Sequence, residues 1–159
     1  QYWDRISTRS DKGDTPYNLR NCAYLEDFSK PKIMYSEIVR SPQFYLDEQG
    51  QFFPEATTFI LTGEHLRYLY NIFHSKVFTY FFKHFYAGGG LGEDGYRYKK
   101  VFFEKLPIPK MIGTPNQQVI ERANENINIE KNCLLLFNFS EDEIKEIEIT
   151  EKINQSKSP

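Results

Sequence analysis

Residues 66–86 read LRYLYNIFHSKVFTYFFKHFY, and this stretch sets the fold class. Leu66, Leu69, Ile72, Phe73, Val77, Tyr80 and Phe81 recur at helical spacing, which lines them along one side of an α-helix. Thr62 is a fitting N-cap ahead of the run and Gly88 a fitting stop behind it. The spacing predicts one helix of roughly twenty residues, about 30 Å long at 1.5 Å per residue. Arg67, His74, Lys76, Lys83 and His84 interrupt the apolar residues. The segment therefore reads as a buried helix, not a bilayer span, and its aromatics read as core.

Upstream, the period shortens. Lys32 to Val39 is β-branched and partly alternating, which predicts a strand. Gln43–Leu46 and Gln51–Phe53 flank Asp47-Glu48-Gln49-Gly50, where Gly50 can adopt positive φ, so this region is a hairpin candidate. Thr57 to Leu61 is a further strand. The expected fold class is α+β: an antiparallel or mixed sheet packed by one long aromatic-rich helix, with a helical C-terminal tail.

The flanks are polar. Residues 1–30 read as loop until Leu19–Leu25, which suits a short helix or strand. Tyr96 to Phe103 suits a strand or a short helix, and Leu106-Pro107-Ile108-Pro109 is extended because proline disfavours helix before it. Pro115 to about Asn132 predicts a polar helix. Ser140 and Glu143 form a capping box that opens a last helix, its acids at the favourable positive end. Residues 1–110 form the expected main domain and 111–159 a helical extension with frayed last residues.

With 159 residues and 16% aromatics, the chain can bury a core without metals or disulfides. Cys22 and Cys133 are far apart and match no zinc or redox spacing. They suit two reduced thiols, with a lone disulfide as the alternative. No secretory or membrane-spanning segment is present, so a cytoplasmic protein without a membrane partner is expected. The start at Gln1 fits a piece of a longer protein, and a processed N-terminus equally. The net charge is −2, but residues 1–110 carry 15 Lys and Arg against 13 Asp and Glu, and residues 111–159 carry 5 against 9. The acidic excess lies in the tail, and distribution matters more than the sum.

Few residues offer chemistry. The run Gly88-Gly89-Gly90-Leu91-Gly92-Glu93-Asp94-Gly95 lacks the Gly-Lys-Ser/Thr ending of a phosphate loop and follows a helix. Its glycines read as a flexible loop, either a plain helix exit or one that orders on DNA. Arg97, Lys99 and Lys100 with Tyr96 and Tyr98 make the densest basic–aromatic cluster. In a strand, Arg97 and Lys99 point one way and Tyr96, Tyr98 and Lys100 the other. That face suits either a DNA backbone or a solvated edge strand. Lys30, Lys32 and Arg40 are weaker candidates, solvated charge being their default. Lys83 and His84 suit the end of a helix dipole. His65, His74 and His84 are nine and ten residues apart on the predicted helix, too far to share a metal. No nucleophile elbow, dinucleotide fingerprint or methyltransferase Asn/Asp-Pro-Pro-Tyr/Phe motif occurs, so no catalytic residue is assigned.

Several segments taken in order carry a resemblance: Asp11 to Thr15, Leu19 to Tyr24, Lys30 to Ile38, Phe52-Phe53-Pro54, the Leu66–Phe82 helix with Ser75-Lys76, and Tyr96-Arg97-Tyr98 through Phe103-Glu104-Lys105-Leu106-Pro107-Ile108-Pro109. This order resembles the TaqI-like C-terminal specificity (target-recognition) domain of type IIG restriction–modification enzymes, which are adenine-specific DNA methyltransferases. His74 departs from it, standing where the family usually shows Asn. The resemblance implies a bacterial module that reads double-stranded DNA and does no chemistry on it. It implies a methyltransferase domain of the same polypeptide as partner, with or without a fused endonuclease. It implies no cofactor here, S-adenosylmethionine and Mg2+ belonging to the absent parent domains. No base contact carries over from the family, whose matched motifs read as scaffold; the DNA-contact candidates come from the residues themselves and are Arg97, Tyr98, Lys99, Lys100, Lys30, Lys32 and Arg40, with the loop Gly88, Gly89, Gly90, Gly92 and Gly95. The competing expectation is a scaffold module that docks partner domains without touching DNA, in keeping with the near-neutral charge.

Overall fold

β1 (Lys32–Ser36) is the middle strand of a three-stranded antiparallel sheet, with β3 (Phe44–Asp47) on one side and β4 (Thr58–Thr62) on the other. The computed structural model describes residues 2–10, 12–18, 24–55, 57–86, 95–109 and 136–156, with side chains to Ile149. Cys22, Cys133, Gly88 to Asp94 and the predicted Pro115–Asn132 helix lie outside these residues. Alternation sorts the sheet's two faces. Ile33 faces Leu46 and Leu61 across the strands, and Tyr35 faces Phe44 and Phe59. These rows lie in the core, while the row of Met34, Tyr45 and Ile60 occupies the other face.

The expected hairpin does not form. Gln51–Phe53 makes no strand, and β3 pairs with β1 instead. The Asp47 carboxylate accepts the backbone N–H groups of Gln51 (3.1 Å) and Phe52 (2.9 Å), which removes both donors from any ladder. Gly50 has φ 65°, and a Cβ there would lie 2.1 Å from the Ser29 carbonyl oxygen. Only glycine permits that approach.

Asp47 also sits in register with Lys32, whose Nζ donates to it at 2.6 Å and to the Phe28 carbonyl at 2.8 Å. Both side chains are buried. Lys32, expected as a surface cation, is thus an interior one. Phe28 belongs to a 3-10 turn (Leu25–Ser29) that closes over the pair. Burial alone would raise the Asp47 carboxyl. The Lys32 hydrogen bond, the Phe52 and Gln51 N–H groups and the Lys32 charge outweigh that and hold it well below the usual carboxylate range.

The predicted strand over 32–39 is also divided. After Glu37 the chain enters β2 (Ile38–Val39), which pairs with β5 (Tyr96–Arg97) as a separate two-stranded ribbon.

A short helix, α1 (Trp3–Ser7), stands where the sequence reads as loop. The aromatic helix is broken in two: α2 (Leu66–Phe73) and α3 (Lys76–Phe81), followed by a π-helical turn (Phe82–Tyr86). Ser75 causes the break. It is extended (φ −73°, ψ 150°), its hydroxyl donates to the Ile72 carbonyl at 2.7 Å, and it accepts the Phe78 N–H at 3.2 Å as the N-cap of α3. Thr62 ends β4, and left-handed His65 caps α2 without a side-chain bond. The apolar face still covers the sheet, with Leu66, Ile72, Phe73, Val77, Phe78 and Phe82 buried against Ile33, Tyr35 and Phe44.

α4 (Lys100–Phe103) inserts Phe103, stacked 5.0 Å from Tyr35. The Tyr68 hydroxyl donates to the Pro109 carbonyl at 3.0 Å and ties down the proline segment. The capping box forms as expected: Ser140 N–H donates to Glu143 at 2.8 Å, and Glu143 N–H returns to the Ser140 hydroxyl at 3.4 Å. These bonds from Ser140 hold the Glu143 carboxyl below its ordinary range. The helix they open, α5 (Glu141–Ser156), lies against α3 and buries Ile147.

Lys32→Met leaves the Asp47 carboxylate buried without its cation and should destabilise the chain by about 3 kcal/mol in urea titration, while Lys32→Met with Asp47→Leu recovers most of that stability. The lowered Asp47 pKa means that its stabilisation is complete above about pH 4 and disappears as pH falls below that. The double variant should therefore show a shallower decline in urea midpoint between pH 5 and pH 2. Ser75→Ala removes the α3 cap and should cost about 1 kcal/mol in the same titration.

Candidate nucleic-acid interface

The β2–β5 ribbon gathers the described cations most worth testing. Val39 pairs with Tyr96 and Ile38 with Arg97. Directly opposed residues share a face. Val39 and Tyr96 are buried in the core, so Ile38 and Arg97 face outward. Ile38 is 56% exposed. Tyr98 continues the inward row, and its N–H donates to the Glu37 carbonyl at 2.7 Å, which extends the pairing by one step.

Tyr98 is the hub of the core. It is 0% exposed, with ring centroids of Phe82 at 4.6 Å, Phe44 at 5.0 Å, Tyr96 at 5.2 Å and Phe103 at 5.7 Å. Its hydroxyl meets that of Tyr96 at 3.2 Å. Burial, then the Tyr96 charge and hydrogen bond, push the Tyr98 phenol far up. Burial, then Glu104 and Glu37, push the Tyr35 phenol up to about 12. Both stay protonated near neutral pH and act as packing. Tyr98 is therefore not a DNA-contact residue, because no ligand atom can reach it.

The alternation expected from the sequence holds from Tyr96 to Lys99. Tyr96 and Tyr98 point in, Arg97 is partly exposed, and Lys99 is exposed with an extended backbone (φ −64°, ψ 132°). Lys100 departs from it. It begins α4, is exposed instead of packed beside the tyrosines, and lies 3.5 Å from Glu104. Arg40 follows β2 directly and is exposed. Among the described residues, Arg40, Arg97 and Lys99 form no ion pair, and neither do Arg5, Lys12, Lys83 and Lys105, whereas Lys30, Lys32, Arg67, Lys100 and Lys145 each do.

The remaining candidates separate. Lys30 is held by Asp27 at 2.7 Å and precedes β1, at the end of that strand remote from the ribbon. Lys32 is excluded by burial. Gly95 directly precedes β5, and Gly88, Gly89, Gly90 and Gly92 lie outside the described residues. Two residues that the sequence reading does not assign gain a place at the site. Lys83 lies with its Nζ 5.0 Å from the centroid of the Tyr96 ring, bracing the ribbon from the π turn instead of only facing a helix dipole. Ile38 carries a signal in the sequence: consecutive Ile38-Val39 in an alternating strand cannot both face the core.

The histidines stay apart. His65 caps α2, His74 ends it with Nδ1 2.9 Å from the Tyr70 carbonyl, and His84 Nδ1 lies 2.7 Å from the Tyr80 carbonyl. Among the described residues, no group of three or more His, Cys, Asp or Glu could hold a metal ion, and no helix is long and apolar enough to cross a membrane. A second surface lies near the Lys32–Asp47 pair. There Tyr24, Leu25, Phe52 and Phe53 are exposed, with Phe53 5.8 Å from Phe28 and Phe52 5.4 Å from Tyr45. Glu26 and Glu55 lie within two residues of these aromatics in the chain, and the nearby Glu48 is paired with Arg67.

No protein-family model matches this chain, and no curated protein matches it.

Outward cations and inward tyrosines should behave oppositely on substitution. Tyr98→Ala should cost about 4 kcal/mol in urea titration, and Arg97→Ala or Lys99→Ala should stay within about 0.5 kcal/mol of the parent.

Proposed function

We propose that this chain is a DNA-recognition module: the specificity domain of a bacterial adenine-methylating restriction–modification enzyme, which lays the β2–β5 ribbon against duplex DNA. The observation that carries the reading is Arg97 on the outer side of the ribbon with Arg40 and Lys99 just beyond its strands, three cations without a carboxylate partner among the described residues, backed by an inner side locked into an aromatic core. An unpaired cation on a rigid support is ready to meet a phosphate, and phosphate contacts set the register of a protein on DNA. A net charge of −2 does not oppose this, because binding follows the local field. The motif order from Asp11 to Pro109 supports the assignment to a specificity domain. On this reading the protein works in the cytoplasm. The methyltransferase domain of the same polypeptide supplies the S-adenosylmethionine site, and any endonuclease domain the Mg2+. This chain supplies the opposite wall of the DNA cleft, which a base-flipping enzyme needs to grip the duplex.

A second reading has its own observation. The exposed Tyr24, Leu25, Phe52 and Phe53, beside Glu26 and Glu55, form an aromatic surface unsuited to phosphate and suited to a protein. On that reading the chain is a scaffold and DNA contact lies elsewhere.

Titration of the full chain with mixed-sequence duplexes in low salt should show weak binding whose affinity falls steeply as salt rises. Replacing Arg40, Arg97 and Lys99 together by Ala should lower affinity for all sequences. The salt slope should shrink by about 0.9 for each phosphate that the variant no longer neutralises. An unchanged slope removes the ribbon from the interface, and no binding at low salt favours the scaffold reading.

A further inference from the structure

We infer that the cross-strand pair Ile38–Arg97 reads a thymine and a guanine in the major groove, with Arg40 and Lys99 seated on the two flanking phosphate rows. This rests on the DNA-recognition reading and names the bases that its ribbon would select.

The pair is the centre of the outward face, since Ile38 and Arg97 are in register. Arg40 directly follows β2, and Lys99 lies two residues past the end of β5. The strands are antiparallel, so those steps run in opposite directions and place the two cations at opposite ends of the ribbon. Fully extended flanks at about 3.3 Å per residue would separate them by at most about 13 Å. The major groove is about 12 Å wide and admits a two-stranded ribbon. Cations at the ends therefore suit the phosphate rims, and the central pair suits the groove floor.

The chemistry of the pair then selects the bases. A guanidinium with no carboxylate partner presents a fork that matches guanine O6 and N7. An exposed aliphatic side chain beside it meets no acceptor, but it can cover the thymine methyl. Val39 fills the core position, so Ile38 is turned outward beside Arg97 and is free to meet a ligand. The support is rigid: Val39, Tyr96 and Tyr98 are buried, and Lys83 braces the Tyr96 ring. Rigid backing is what a base-reading pair requires.

The test selects from a random 16-base-pair duplex library with the full chain, then measures binding to the enriched site by fluorescence anisotropy. The site should contain a guanine and a neighbouring thymine. Replacing that thymine by uracil, which removes only the methyl, should weaken the parent about fourfold and leave Ile38→Ala unaffected. Arg97→Ala should lose at least about fivefold preference for the guanine, and Arg97→Gln should move the preference towards adenine. Lys99→Ala should weaken all sequences alike. Circular dichroism of each variant checks the fold. Duplex binding without an enriched site overturns the inference. So does an enriched site at which uracil and Arg97→Ala act no differently from Lys99→Ala. Both of these outcomes leave the DNA-binding reading standing. Absence of any duplex binding at low salt overturns both together.

Discussion

The seating of Tyr96 and Tyr98 in the aromatic core is the constraint on which the rest of the site depends. Side chains alternate along an extended chain, so driving these two rings inward turns Arg97 and Lys99 outward. The same burial draws Val39 in across the ribbon and leaves Ile38 outside. Tyr98 touches Phe44 of the sheet, Phe82 of the π turn and Phe103 of α4, so strand, helix and ribbon meet at one ring. Edge-to-face and tilted contacts of this kind add to the apolar area buried. The orientation of the outer cations is thus a consequence of packing.

The opposite end of β1 is organised by charge. The Lys32–Asp47 pair lies across β1 and β3, and the Asp47 carboxylate also gathers the N–H groups of Gln51 and Phe52. A buried ion pair of this kind is a poor source of net stability but a strict determinant of geometry. Here it sets where the chain leaves β3, and it carries Phe52 and Phe53 to the surface. β1 thereby joins two unlike regions, a cationic ribbon beyond one end and an aromatic, acid-bordered surface beside the other.

Some of this is legible in the residues and some is not. The capping box at Ser140 is legible because both partners lie within one turn. The break at Ser75 is hidden because the apolar spacing runs through it. A hydroxyl that bonds backward to Ile72 and forward to Phe78 is a local competition that periodicity does not register. The hairpin at Gly50 fails for a similar reason. The turn is real, but Asp47 takes the donors that the second strand needs. Lys32 looks solvated in the sequence because its partner lies fifteen residues away.

The residue pattern by itself determined the fold class, the strand and helix periods, the positive φ at Gly50 and the capping box at Ser140, since each follows from neighbours within a few residues. Tertiary structure alone decided which strands pair, which lysine is interior, and that Ile38 and Arg97 stand side by side. Those outcomes depend on contacts between segments as far apart as 38 and 97, where burial and hydrogen-bond competition outweigh local preference.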